Sequence, residues 1–154
     1  MLFRSERAGN FPHGSITGFF TVFVEGDDLA EPVSDAVRGL LDGHIVLSRE
    51  LANANQYPAI DSLESLSRLA DAVTTPEHRR AAARLRDGMA AYRRAEDLIN
   101  LGAYAAGSNP VVDATIRARQ DIVDFFRQDI AAKQPIEATV KQLQALAHKL
   151  DAVR

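Results

Sequence analysis

Hydrophobic positions along the chain change their rhythm near residue 74. Ahead of it, short apolar runs alternate with polar turns. Ile16 to Val24 is rich in β-branched and aromatic residues and predicts a largely buried strand. Glu25 to Leu29 reads as a polar turn, and Glu31-Pro32 opens a helix, since proline is tolerated at a first helical position. Val33, Val37, Leu40 and Leu41 then recur at three- and four-residue spacing, until Asp42-Gly43 stops the helix. His44 to Leu47 predicts a second strand and Ser48 to Asn55 a short helix. Asp61-Ser62-Leu63-Glu64 has the form of a helix cap, a capping side chain with a carboxylate three residues on. It predicts a short helix carrying Ser67, Arg68 and Leu69. Strand, helix, strand, helix is an α/β pattern with the strands expected in a parallel sheet. Two strands cannot complete such a sheet, so this part needs further strands beside it.

From Thr74-Thr75-Pro76 the period becomes helical throughout. One long helix is expected from Pro76 to about Leu101, with Leu85, Met89, Tyr92, Ala95 and Ile99 on its inner stripe. Arg84, Arg86, Arg93, Arg94, Glu96 and Asp97 occupy its other face, and together with Arg79 and Arg80 the arginines form a basic strip that reads as a solvated face. Gly102 and Gly107-Ser108-Asn109 break the pattern. Asn109 caps a helix starting at Pro110, with Ile116, Ile122, Val123 and Phe126 inward. A last helix begins at Pro135 and buries Val140, Leu143, Leu146, Ala147 and Leu150. The expected fold class is therefore α/β followed by all-α.

Composition narrows the function. The 154 residues, 46% hydrophobic and 25% charged, suit one ordinary domain or two small pieces. The net charge of −3 provides no electrostatic footprint for nucleic acid. The absence of cysteine excludes disulfides and thiolate metal sites. His13, His44, His78 and His148 have no metal-ligand spacing, so no metal site is assigned. No run approaches the roughly 20 apolar residues that span a bilayer, and a soluble, cytoplasmic protein is expected. The chain contains no Gly-Lys-Ser or Gly-Lys-Thr, the end of a phosphate-binding loop.

Three segments carry a resemblance: Val24-Glu25-Gly26-Asp27-Asp28-Leu29-Ala30-Glu31-Pro32, then Leu41 to Arg49, then Tyr57-Pro58-Ala59-Ile60-Asp61. They resemble the late part of the motor domain of flagellar and type III secretion export ATPases, relatives of the catalytic subunits of rotary ATP synthases. The resemblance covers Glu6 to about Leu150. It implies the end of a RecA-like P-loop ATPase domain over residues 6–73 and a helical C-terminal domain over 74–154. Residues 1–5 are expected to be a non-native start, because family members carry a leucine-rich helix before that point.

The resemblance further implies an ATP- and Mg²⁺-dependent homohexamer that drives protein export. Arg68, in Leu66-Ser67-Arg68-Leu69, falls where the family has an arginine finger acting in trans. Tyr57 falls where a tyrosine stacks on adenine, and Phe125 where a helical-domain aromatic closes the same pocket. Asp27 and Asp28 fall in an acidic loop facing a central coiled-coil stalk protein. Export chaperone–substrate complexes and a membrane export gate are the other implied partners. Because the phosphate-binding loop and the Mg²⁺ ligands are missing, the chain alone is expected to be inactive. Two alternatives remain: a non-catalytic module docking chaperones or a stalk protein, and a piece of a rotary ATP synthase subunit. The latter normally reads Val-Pro-Ala-Asp-Asp where this chain has Val24-Glu25-Gly26-Asp27-Asp28. Without the resemblance, Arg68 reads as a surface arginine paired with Asp61, Glu64 or Asp71.

Overall fold

The computed structural model describes residues 8–24 and 32–151. The expected non-native start and the turn bearing Asp27 and Asp28 lie outside the described residues. Two compact units divide the chain between Asp42 and Gly43.

In the first unit, β1 (Gly9–Phe11) and β2 (Gly14–Ile16) form an antiparallel hairpin, and α1 spans Pro32–Leu40. The long buried strand expected from Ile16 to Val24 is not formed. Residues 17–24 have no regular structure, and Phe19 and Phe23 are about nine-tenths exposed, at 90% and 93%. An apolar run becomes a buried strand only with paired neighbours and covered faces, and beyond Ile16, which closes the hairpin, residues 17–24 have no strand partner among the described residues.

The second unit begins with β3 (Gly43–Leu47), followed by α2 (Arg49–Asn53) and β4 (Ile60–Ser67). Ser48 caps α2 by accepting from the Leu51 amide at 3.3 Å. β3 and β4 pair antiparallel, and β4 occupies the stretch from Asp61 where a helix was expected. Their register runs from Gly43 opposite Ser67 to Leu47 opposite Ile60, and it slips between His44 and Val46. There Ile45 alone stands against residues 62–65, a wide bulge in β4.

That bulge explains why the helix expected from Asp61 is absent. Asp61 Oδ1 does accept from the amides of Leu63 and Glu64, at 2.9 and 3.1 Å, as a cap would. Ser65 Oγ donates to the Asp61 carbonyl at 2.5 Å. The turn closes within a strand instead of opening a helix, because the backbone on either side is taken by β3.

After the short α3 (Ala70–Val73) the chain is helical: α4 (Pro76–Asn100), α5 (Pro110–Arg117), α6 (Arg119–Phe126) and α7 (Ile136–Asp151). Thr75 caps α4 through the His78 amide, and Asn109 Oδ1 accepts from Val111 and Val112 at 3.0 and 3.3 Å. The single helix expected after Pro110 divides at Ala118 into α5 and α6.

α4, α5, α6 and α7 enclose one core, centred on Leu85, Ala114, Ile122, Leu143, Leu146 and Leu150. The buried face of α4 is Ala81, Leu85, Gly88 and Ala91; Met89, Tyr92, Ala95 and Ile99 are only half-buried. Small residues let the helices approach closely. A Cβ on Gly88 would lie 2.8 Å from Thr115 Oγ1 and 3.5 Å from Leu150 Cδ1. No helix among the described residues is long and apolar enough to cross a membrane.

Candidate functional site

The sequence singles out Arg68, Tyr57 and Phe125, and β4 organises two of them. Tyr57 lies just before its first residue, Ile60, and Arg68 directly after its last, Ser67. They therefore leave opposite ends of one strand. Arg68 is exposed and stands in the turn between β4 and α3, not on the expected helix. The strand end before it is held close to β3. A Cβ on Gly43 would meet the Leu66 carbonyl at 2.6 Å and Ser67 Cα at 3.2 Å, so glycine is required for that approach.

Tyr57 is about half exposed and precedes a cis proline. Its carbonyl accepts from the Gln128 amide at 2.9 Å, which ties the loop to the chain just past α6. Phe125 lies on α6, three residues before Gln128, half-buried against the helical core. It meets Phe126 edge to face, with ring centroids 5.2 Å apart, a favoured aromatic geometry. Both phenylalanines thus rest on the core, and the structure brings the Tyr57 backbone to the end of the Phe125 helix.

The residues that sequence reasoning missed surround the β4 bulge. Asp61 is 9% exposed, and its Oδ2 accepts from Arg93 Nη2 at 2.6 Å. Arg93 also reaches Glu64, Nη1 to Oε1 at 3.4 Å. Arg86 donates to the carbonyls of Ser62, Leu63 and Ser65. Arg79 donates to those of Asp71 and Thr74, at 2.8 and 2.6 Å, and its Nε lies 3.8 Å from Asp71 Oδ1. The basic strip is accordingly spent largely inside the chain. The carboxylates named as partners for Arg68 are held by α4: Asp61 and Glu64 by Arg93, Asp71 by Arg79. The spacing of 79, 86 and 93, seven residues each, was the available signal.

Burial pushes the Asp61 carboxyl up, but the Arg93 hydrogen bond and the Glu64 and Leu63 amides outweigh it and hold it below the usual carboxylate range. A carboxyl depressed on folding stabilises the fold fully above its unfolded value, about 3.9. That contribution disappears as pH falls through the lower folded value. Denaturation midpoints measured from pH 7 to below pH 3 should therefore fall at the acid end. Asp61→Asn should flatten that part of the profile while lowering stability at pH 7. An unchanged acid slope in Asp61→Asn would remove Asp61 from the account.

Among the described residues no group of three or more histidine, cysteine, aspartate or glutamate side chains could hold a metal ion. An open groove runs along the C-terminal half of α4, lined by Ala91, Arg94, Leu98, Tyr104, Asn109 and Val112. It involves none of the residues singled out by sequence.

Comparison with known proteins covers both parts of the chain. The family model of the ATP synthase alpha/beta family nucleotide-binding domain matches residues 4–67. That of the T3SS EscN ATPase C-terminal domain matches residues 74–145. A type 3 secretion system ATPase from Pseudomonas savastanoi pv. phaseolicola is 48% identical over 145 residues, 94% of this chain and 32% of that protein. A flagellum-specific ATP synthase from Treponema pallidum is 48% identical over 141 residues, 92% of this chain and 32% of that protein. Among solved structures, the assembled ATPase EscN of enteropathogenic E. coli in complex with its central stalk EscO superposes with a TM-score of 0.83. Its identity is 41%, covering 95% of this chain and 36% of that one. The chain thus spans about a third of the length of these relatives.

Proposed function

We propose, since this chain belongs to the type III secretion and flagellar export ATPase family, that it forms one side of each of two nucleotide sites in a homohexamer. The fold agrees with that membership: the end of a RecA-like P-loop ATPase domain, then a helical C-terminal domain. We take the boundary between them at residues 73 and 74. One observation carries the reading: Tyr57 and Arg68 leave opposite ends of β4, so one strand can serve two sites.

At one end, the half-exposed Tyr57 ring suits the face of an adenine base, and Phe125 backs the same side from α6. At the other, Arg68 reaches into the site of the adjacent copy. There its guanidinium meets the negative charge that spreads over the equatorial oxygens during transfer of the terminal phosphoryl group. Mg²⁺ would neutralise phosphate charge in such a site, and its ligands would come from residues outside those described. The phosphate-binding loop is likewise absent from this sequence. The chain by itself is therefore expected not to hydrolyse ATP.

Asp27 and Asp28 are assigned to contact with a coiled-coil stalk. One solved relative, EscN, is complexed with its central stalk EscO. Coupling of hydrolysis to protein export, delivery of chaperone–substrate complexes and peripheral association with a membrane export gate follow from the family and belong to the same proposal.

The test is the KM for ATP of a complete ATPase carrying this segment. Stacking of an aromatic ring on a base is worth about 1–3 kcal/mol, so Tyr57→Ala should raise KM about tenfold or more. Tyr57→Phe should leave it nearly unchanged. An unaltered KM in Tyr57→Ala would remove the adenine-side assignment.

A further inference from the structure

We propose that Arg79, Arg86 and Arg93 form a ladder on α4 that fixes the position of Arg68. The functional meaning of this device rests on the arginine-finger reading above; its geometry does not. Residues seven apart lie two turns along a helix, on nearly the same face, about 10 Å from one another. All three side chains of this stripe turn back onto the same stretch of chain, residues 61–74.

The ladder grips that stretch in two places. On one side of Arg68, Arg93 holds Asp61 and Glu64, and Arg86 holds the carbonyls of Ser62, Leu63 and Ser65. On the other side, Arg79 holds the carbonyls of Asp71 and Thr74. Arg68 stands between the two grips, directly after Leu66 and Ser67, which pair with His44 and Gly43 of β3. Five of these contacts go to backbone carbonyls. A planar guanidinium can donate to several acceptors at once in a fixed fork, which an ammonium cannot reproduce. The bulge in β4 supplies three of those acceptors, the carbonyls of Ser62, Leu63 and Ser65 bonded by Arg86, because an irregular stretch leaves carbonyls off the ladder with β3.

A finger must be presented with little freedom, since small displacements of a positioned group cost large factors in rate. On this account α4 is the ruler against which Arg68 is set, and a tilt of α4 carries Arg68 with it. Arg79, Arg86 and Arg93 are positioning residues, not catalytic ones.

The chain has no cysteine, so two introduced cysteines can be spin-labelled cleanly. Leu69→Cys reports on the Arg68 turn and Asp97→Cys on α4; both positions are exposed. Pulsed electron resonance on the full chain gives their distance distribution. Arg86→Ala and, separately, Arg79→Ala should broaden and shift that distribution with helical content retained, and Arg86→Lys should not restore it. Arg84→Ala is the control, since Arg84 bonds the Leu150 carbonyl and Asp151 at the far end of the chain. It should lower stability yet leave the distribution as it was. An unchanged distribution in Arg86→Ala and Arg79→Ala, or an equal broadening in Arg84→Ala, overturns the proposal. Neither result depends on whether Arg68 contacts a nucleotide, which the hydrolysis of Arg68 variants decides separately.

Discussion

Replacing Arg68 by alanine in a complete ATPase carrying this segment is expected to lower kcat by about 10³- to 10⁵-fold. KM for ATP should change little, because the guanidinium acts on charge that develops only in the transition state. Arg68 is exposed in the turn after β4, so its loss should leave the core intact, and far-ultraviolet circular dichroism should match the parent. Arg68→Lys should recover only a small part of the rate, since a point charge lacks the planar fork. The measurement is steady-state phosphate release at saturating ATP. A loss of less than about tenfold would place Arg68 among ordinary surface arginines, whose ion pairs are worth little.

Leu150→Ala should cause the largest loss of stability in the helical part, about 2–5 kcal/mol. Leu150 is 2% exposed and sits in the core with Leu85, Leu146 and Ala147. Its Cδ1 would lie 3.5 Å from a Cβ on Gly88. The cavity left by truncation cannot be filled by α4, because the residue facing it there is a glycine without a side chain to move. In thermal denaturation of a unit of this size each kcal/mol corresponds to about 4–8 °C. The melting temperature should therefore drop on the order of 15 °C, beyond any effect of an exposed substitution such as Lys141→Ala. A shift no larger than that of Lys141→Ala would mean the four-helix core is packed differently.

The helical part was legible in the sequence because its signals are local. Pro76 after Thr75, and Pro110 after Asn109, each mark a start by a cap and a preset backbone angle. Leu143, Leu146, Ala147 and Leu150 repeat at helical spacing and are all buried. Two features there escaped. Ala81, Gly88 and Ala91 carry little hydrophobic signal, yet they form the inner face of α4 because they let α5 and α7 approach. The arginines at 79, 86 and 93 looked like solvated charge, since no periodicity reveals that Arg86 meets carbonyls of the β4 bulge, Arg93 the carboxylates of Asp61 and Glu64, and Arg79 the carbonyls of Asp71 and Thr74.

The α/β part was less legible because its structure depends on distant pairing. Asp61-Ser62-Leu63-Glu64 has a cap's local chemistry, and Asp61 makes a cap's hydrogen bonds. Whether they start a helix or close a bulge is decided by β3, some fifteen residues upstream. Ile16 to Val24 is apolar and β-branched, but those properties yield a strand only where neighbouring strands are supplied. The candidate site divides in the same way. Residue types at 57, 68 and 125 could be read from sequence, whereas their supports, Gly43, Asp61, Arg86 and the Gln128 amide, required the fold.

Subunit mixing tests the central claim most directly. One complete ATPase carries Arg68→Ala, and a second keeps Arg68 but has its own phosphate-binding loop disabled. Each alone should be nearly inactive. If Arg68 acts across the subunit interface, mixing the two should restore ATP hydrolysis, with a maximum at intermediate ratios. No recovery at any ratio, with mixed assembly verified by native mass spectrometry, would contradict an arginine finger supplied in trans.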